Sequence, residues 1–123
     1  MDKLDQIFAL QTKLQTRIKE ERNLQIQTKE EWLQKLTLAM ISEMSELLNE
    51  INYKWWKNPK KLDEDAIADE LSDIMHFFVS MCIEAGLSAE DLFLRYTQKN
   101  KENHDRQDGT SEKTGYALPK KEN

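Results

Sequence analysis

Residues that break helices are scarce in this sequence. Its 123 residues, a length that suits one domain, include three glycines and two prolines, fewer than a strand-rich fold usually requires. The single cysteine, Cys82, excludes an internal disulfide, and we expect a buried thiol. No apolar run approaches the roughly 20 residues that span a bilayer, and the first residues, MDKLDQIF, lack the pattern of a signal peptide. The composition predicts an all-α protein of the cytosol.

Positive charge is also scarce relative to negative charge. Charged residues make up 33% of the chain, and the net charge is −5. A general nucleic-acid binder is expected to carry a basic patch, and none is visible before the C-terminal third. We therefore expect neither a nucleic-acid nor a membrane partner. A small anionic ligand stays compatible with this charge, because a bound metal ion can invert the local field.

Apolar residues recur at helical spacing in four segments. The predicted helices cover about residues 3–20, 28–53, 63–85 and 88–106. Thr28 and Asp63 are the expected N-caps of the second and third helices, and Gly86 is expected to end the third. Beyond Arg106 the chain becomes polar. We expect a domain over residues 1–106, followed by a loop or tail over 107–123 that is mobile without ligand.

Two carboxylate pairs, each with a spacing of three residues, stand out: Glu43 with Glu46, and Glu70 with Asp73. Residues three apart share a helix face. On a helical wheel, Glu70 falls within the apolar arc of its helix and Glu43 on the apolar stripe of the preceding one. A carboxylate in an apolar site loses several kcal/mol of hydration unless it is paired, protonated or metal-bound.

A divalent cation is the group that best fits this pattern. Carboxylates that converge on one place repel each other and raise each other's pKa values, and a cation removes both effects. Hard oxygen donors favour Mg²⁺, Mn²⁺ or Ca²⁺, whereas di-iron bundles use Glu-x-x-His. An all-carboxylate site that leaves metal positions open also suits phosphate oxygens. The alternative is an ordinary charged helix surface, where Glu-x-x-Glu arises often by chance.

The two pairs together resemble the signature of the all-α nucleoside triphosphate pyrophosphatases, which include the MazG-type enzymes and the dimeric dUTPases. Further segments are similar to the dimeric dUTPase branch, and in chain order they are Gln11-x-x-Leu14, Lys54-x-Trp56-Lys57, Glu70-Leu71-Ser72-Asp73-Ile74-Met75-His76-Phe77 and Lys99-Asn100-x-x-Asn103-x-x-Arg106-Gln107-Asp108. The resemblance covers about residues 4–116. One departure is Gln15, which stands where the family tends to carry Asn.

The resemblance implies a four-helix-bundle-like fold assembled as a homodimer, or alternatively a tetramer. It also implies Mg²⁺-dependent hydrolysis of dUTP to dUMP and pyrophosphate, with Mn²⁺ as a possible substitute. The implied metal ligands are Glu43, Glu46, Glu70 and Asp73. Glu43 is the first choice for the group that positions and deprotonates the attacking water, and Glu46 is the second.

Substrate contacts follow from the same resemblance. Gln11 would meet the base, while His76 and Phe77 would line the nucleotide pocket. The implied phosphate-side residues are Lys54, Trp56, Lys57, Lys99, Asn103, Arg106, Lys113 (or Lys120) and Tyr116. Two alternatives stay open: a broader MazG-like pyrophosphatase that acts on dCTP or non-standard nucleotides, and a non-enzymatic helical interaction protein.

Overall fold

The computed structural model describes residues 1–24, 27–112 and 115. Within that part of the chain there are four helices and no strand, which confirms the predicted all-α class. The helices are α1 (Lys3–Glu21), α2 (Lys29–Glu50), α3 (Glu64–Glu84) and α4 (Ala89–Asp108). None of the described helices is long and apolar enough to cross a bilayer. The predicted contacts at Lys113, Tyr116 and Lys120 lie outside the described residues.

Side-chain caps begin the first three helices. The carboxylate of Asp2 accepts a hydrogen bond from the backbone N–H of Asp5 at 2.8 Å, which begins α1. Thr28 does the same for α2, and Asp63 does so for α3, with donor–acceptor distances of 3.2 and 3.1 Å. Such bonds satisfy N–H groups that have no partner within the helix. The two N-caps predicted from the sequence are therefore confirmed.

The end of α2 differs from the prediction. The helix ends at Glu50 instead of continuing to about Tyr53, because Asn52 adopts a left-handed backbone with φ of 58°. The Asn52 side chain donates to the carbonyl oxygen of Lys60 and accepts from its N–H, both at 2.9 Å. Asn tolerates this backbone region and can replace helical hydrogen bonds with its own. These two hydrogen bonds connect the first residues after α2 with the later part of the loop that leads to α3.

The helices α1, α2 and α3 share one core, because α3 packs against both of the others. The most buried apolar side chains of this core are Val79, which is fully inaccessible, together with Cys82 and Phe8. The buried thiol predicted at Cys82 is confirmed. Polar contacts add to the apolar packing: Glu84 of α3 accepts hydrogen bonds from the side chains of Gln15 and Lys19.

By its internal contacts the chain divides into two compact units, residues 1–88 and 89–123. The first contains α1, α2 and α3 with all four predicted metal ligands. The second contains α4, where Arg106 contacts Asn103 at 3.3 Å and Glu102 at 3.4 Å. The functional boundary expected at residue 106 stays a prediction.

Candidate metal and nucleotide site

Three of the four predicted metal ligands meet where α2 and α3 pack together. Each of Glu43, Glu46 and Glu70 offers one carboxylate oxygen, and these oxygens all lie within 4.8 Å of one another. Glu43 and Glu70 are half-buried, whereas Glu46 is exposed. The helical wheel therefore predicted correctly that Glu43 and Glu70 are the two carboxylates that packing partly buries.

The electrostatics of this cluster reflect crowding of like charges. Burial raises the pKa of Glu43 from 4.5 to about 7, and the hydrogen bond with Glu70 and the charge of Glu46 add to that rise. Burial likewise raises the pKa of Glu70; its hydrogen bond with Glu43 opposes the rise, and the charges of Glu46 and Asp73 reinforce it. These are the effects expected where carboxylates converge without a cation.

The donor set fits a hard divalent cation. The Oε2 atoms of Glu43 and Glu70 are buried and have no hydrogen-bond partner. A buried carboxylate oxygen without a donor is costly, and direct coordination to a cation would satisfy both atoms. With oxygen as the sole ligand type, Mg²⁺, Mn²⁺ and Ca²⁺ are the matching ions.

Asp73, the fourth predicted ligand, is placed differently. It is exposed and is not among the three carboxylates that lie within 4.8 Å of one another. Its charge nevertheless raises the pKa values of both Glu43 and Glu70, so it lies close enough to act on the cluster. Its role as a direct ligand stays a prediction.

A cavity of about 260 Å³ lies between α1 and α3. It has polar groups from Gln11, Ser72 and His76, and its apolar walls come from Ile7, Leu10, Leu14, Met75 and Val79. A largely apolar cavity with a few polar groups is the usual form of a small-molecule site. The structure thus brings together Gln11 and His76, two of the residues predicted to contact the nucleotide. Phe77 is half-buried and is not part of this lining.

Two hydrogen bonds orient the polar groups of this cavity. The amide nitrogen of Gln11 donates to the hydroxyl oxygen of Ser80 at 2.7 Å, and both side chains are buried. The Nδ1 atom of His76 lies 2.8 Å from the carbonyl oxygen of Ser72. Sequence reasoning missed Ser80. The available signal was a hydroxyl in the most apolar stretch of α3, between Val79 and Met81.

The predicted segment Lys54-x-Trp56-Lys57 lies in the loop after α2. Lys54 and Lys57 line a second cavity, of about 220 Å³, together with Lys60 and three asparagines, Asn49, Asn52 and Asn58. Lys60 was not predicted, although it also pairs with Glu50 at 3.1 Å. Trp56 is exposed and contacts Trp55 edge-to-face, with ring centroids 5.5 Å apart. This loop concentrates positive charge in an otherwise acidic chain.

The predicted phosphate contacts on α4 belong to the second unit. Lys99 and Asn103 are exposed, and Arg106 is half-buried. Lys99 lines a cavity of about 380 Å³ within that unit, together with Arg95 and Glu102. These three phosphate contacts stay predictions.

Comparisons with known proteins identify the family of this chain. The sequence profile of a family described as dUTPase matches residues 3–88 of the chain, a range that includes all four carboxylates. A dCTP pyrophosphatase of Enterobacteria phage T4 is 36% identical, over 58% of this chain and 50% of that protein. The chain thus spans about half the length of this curated relative. No solved structure matches the chain. Since the family profile covers well over half of the residues, this chain belongs to the all-α dUTPase family.

Proposed function

We propose that this chain is a metal-dependent pyrophosphatase that converts a 2′-deoxypyrimidine nucleoside triphosphate to its monophosphate and pyrophosphate. The observation that carries the proposal is the cluster of Glu43, Glu46 and Glu70, with two buried oxygens that have no hydrogen-bond partner. Membership of the dUTPase family supports the reaction type, and so does the similarity to the phage T4 enzyme.

Mg²⁺ is the proposed metal, with Mn²⁺ as the closest substitute. Glu43, Glu46 and Glu70 would hold it, and Asp73 would complete the set from the exposed side. A cation bound there would neutralise triphosphate charge and lower the pKa of a coordinated water. No protein nucleophile is needed, because positioning and electrostatics account for most of the catalysis in phosphoryl transfer.

The remaining proposed roles are activation of the water, binding of the base and binding of the phosphates. Glu43 would orient the attacking water and accept its proton through the carboxylate oxygen that does not hold the metal. The cavity between α1 and α3 holds the base, with Gln11 and His76 as its polar contacts. Phosphate contacts are proposed for the loop after α2 and for the later part of the chain, namely Lys54, Trp56, Lys57, Lys99, Asn103, Arg106, Lys113 and Tyr116. Phe77 is proposed to pack against the deoxyribose.

Two nucleotides are candidates for the natural substrate. The family description and the segment similarities favour dUTP. The phage T4 relative, a dCTP pyrophosphatase, favours dCTP. Both substrates use the same metal cluster, so the choice depends on the base cavity alone.

A second copy of the chain is the proposed partner. Apolar side chains on α2 and α3 stand exposed in one copy: Leu38 is 67% exposed, Ile41 55% and Leu71 53%. Exposed apolar patches of this kind mark interaction surfaces. A two-fold symmetric dimer is the commonest closed arrangement that covers such a surface.

The decisive experiment measures pyrophosphate release from dUTP, dCTP and dTTP at equal concentration, with and without Mg²⁺. We expect turnover of at least one pyrimidine nucleotide that requires the metal. Glu46→Gln should lower kcat by about 10² or more, because it removes a ligand of the metal that would stabilise the charge of the transition state. Because Glu46 is exposed, this variant should keep its fold.

Glu30→Gln is the matched control, because Glu30 is an exposed glutamate on the same helix outside the cluster. It should hydrolyse the substrate at the wild-type rate. Unchanged turnover in Glu46→Gln would contradict the assignment of the site. Absence of turnover with every nucleotide would favour the non-enzymatic interaction protein.

A further inference from the structure

Ser80 occupies an unusual place for a hydroxyl group. It lies in the interior of α3 and is only 3% exposed, behind the wall of the cavity between α1 and α3. Its oxygen accepts the hydrogen bond from the amide nitrogen of Gln11 at 2.7 Å. Gln11 itself lines the cavity and is 9% exposed. A buried polar group of this kind is normally retained with its partner, because either group alone would be left unsatisfied.

In the structure this hydrogen bond joins Ser80 to the nitrogen end of the Gln11 amide. An amide side chain donates from its nitrogen and accepts at its oxygen. Since Ser80 holds the nitrogen, the carbonyl oxygen is the end available to an occupant of the cavity. The amide therefore presents an acceptor.

His76 supplies a second acceptor to the same cavity. A backbone carbonyl can only accept, so the contact between His76 Nδ1 and the Ser72 oxygen places the proton of the neutral ring on Nδ1. The other ring nitrogen, Nε2, is then an acceptor. The cavity thus combines two acceptors, from Gln11 and His76, with apolar walls that suit the flat faces of a base.

We propose that Ser80 is a positioning residue that orients the Gln11 amide, and that the cavity thereby selects a base with an exocyclic amino group, as in cytosine, over uracil. The amino group of cytosine has two N–H bonds and can serve both acceptors. Uracil has a single ring N–H between two carbonyl groups, so it serves one acceptor and brings a carbonyl oxygen towards the other. This inference rests on the proposed function and decides between its two candidate substrates.

The test compares kcat/KM for dCTP and dUTP in wild-type protein and in Ser80→Ala. The wild-type protein should favour dCTP by about tenfold, a factor that one neutral hydrogen bond can supply. In Ser80→Ala the amide is free to rotate and can present its nitrogen to the uracil carbonyl, so the preference should fall to within about twofold. The change should lie in KM, with kcat retained, because the metal cluster is untouched. Ser80→Thr keeps the hydroxyl and should retain the preference.

Cys82→Ala is the matched control. Cys82 is buried on the same helix two residues away, loses one heavy atom on the same substitution, and does not line the cavity. It should lower thermal stability without changing the base preference. If Cys82→Ala changes the preference as Ser80→Ala does, or if Ser80→Ala leaves it unchanged, the positioning role is wrong. A wild-type preference for dUTP would also overturn the inference.

Binding of dCMP and dUMP separates this inference from the proposed function, because it requires no turnover. If the wild-type chain binds dCMP selectively but hydrolyses no triphosphate, the proposed function fails and the inference stands, provided that Ser80→Ala abolishes the selectivity. If the chain hydrolyses triphosphates but binds the two monophosphates equally, the inference fails and the proposed function stands. Binding of neither monophosphate overturns the inference.

Discussion

Replacing Glu43 with glutamine should make the metal-free chain more stable at neutral and alkaline pH. The folded state raises the pKa of Glu43 from 4.5 to about 7. Between these values the folded chain binds more protons than the unfolded chain. The free energy of unfolding of the wild-type protein therefore falls as the pH rises through this window, and the loss is complete above the folded pKa. The glutamine in Glu43→Gln does not ionise, so the free energy of unfolding of this variant does not fall in this way.

The size of the effect follows from the pKa change. A displacement from 4.5 to about 7 corresponds to about 3 kcal/mol when Glu43 is fully ionised. Glu43 is only half-buried and titrates together with its neighbours, so solvent screening and shared protons reduce the penalty to about 1–2 kcal/mol. For a chain of this length, that difference raises the melting temperature by about 4–8 °C.

The assay is thermal unfolding followed by circular dichroism, in EDTA and in Mg²⁺, at about pH 5 and about pH 8. In EDTA at the higher pH, Glu43→Gln should melt above the wild-type protein, and at the lower pH the two should converge. Mg²⁺ at about a hundred times its dissociation constant should stabilise the wild-type protein by about 3 kcal/mol. The variant lacks one ligand, so its gain should be smaller and the order of melting temperatures should reverse.

Glu20→Gln provides the control, since Glu20 is an exposed glutamate outside the cluster. Its stability should stay within about 0.5 kcal/mol of wild type at both pH values. The reasoning is refuted if Glu43→Gln is less stable than the wild-type protein in EDTA at the higher pH. It is also refuted if Mg²⁺ stabilises the two proteins equally, because Glu43 would then contribute nothing to metal binding.

Two further predictions concern packing. Val79→Ala should lower the free energy of unfolding, measured by urea denaturation, by about 2–3 kcal/mol, because the valine is fully inaccessible and its loss leaves a void. A decrease below about 1 kcal/mol would mean that α1 and α3 close over the gap. Ile41→Glu places a charge on the exposed apolar face of α2 and should convert a dimer into monomers in sedimentation analysis. Lys35→Glu, which changes an exposed polar position of the same helix, should leave the assembly unchanged, and a dimer that persists in Ile41→Glu would place the interface elsewhere.

Regular helix geometry explains why part of the site was predictable. Periodicity places Glu43 and Glu70 on the packed faces of α2 and α3, and the structure shows both half-buried within one cluster. Capping chemistry is equally local, so Thr28 and Asp63 could be assigned from a few neighbouring residues. Both inferences require only the spacing within a single helix.

Contacts between distant residues escaped prediction. Asn52 ends α2 and forms hydrogen bonds with Lys60, eight residues later. Nothing in the helical pattern of the sequence indicates that these two residues will meet. The bond between Gln11 and Ser80 joins residues 69 apart. No local pattern indicates that a buried amide and a buried hydroxyl will meet. The sequence resemblance pointed to Gln11 as a base contact, but the partner that orients it emerges only when α1 is packed on α3.

The acidic cluster opposes the packing that creates it, so α2 and α3 must be held together by contacts elsewhere. One such set lies at the other end of α3, where Glu84 accepts hydrogen bonds from Gln15 and Lys19. The ammonium group of Lys19 also lies over the ring of Trp32 in α2, 4.6 Å from its centroid. Glu84 is 14 residues from Glu70 on α3, about 21 Å along a helix. This contact set can therefore maintain the helix pairing at one end while the carboxylates at the other end converge and stay available to a metal.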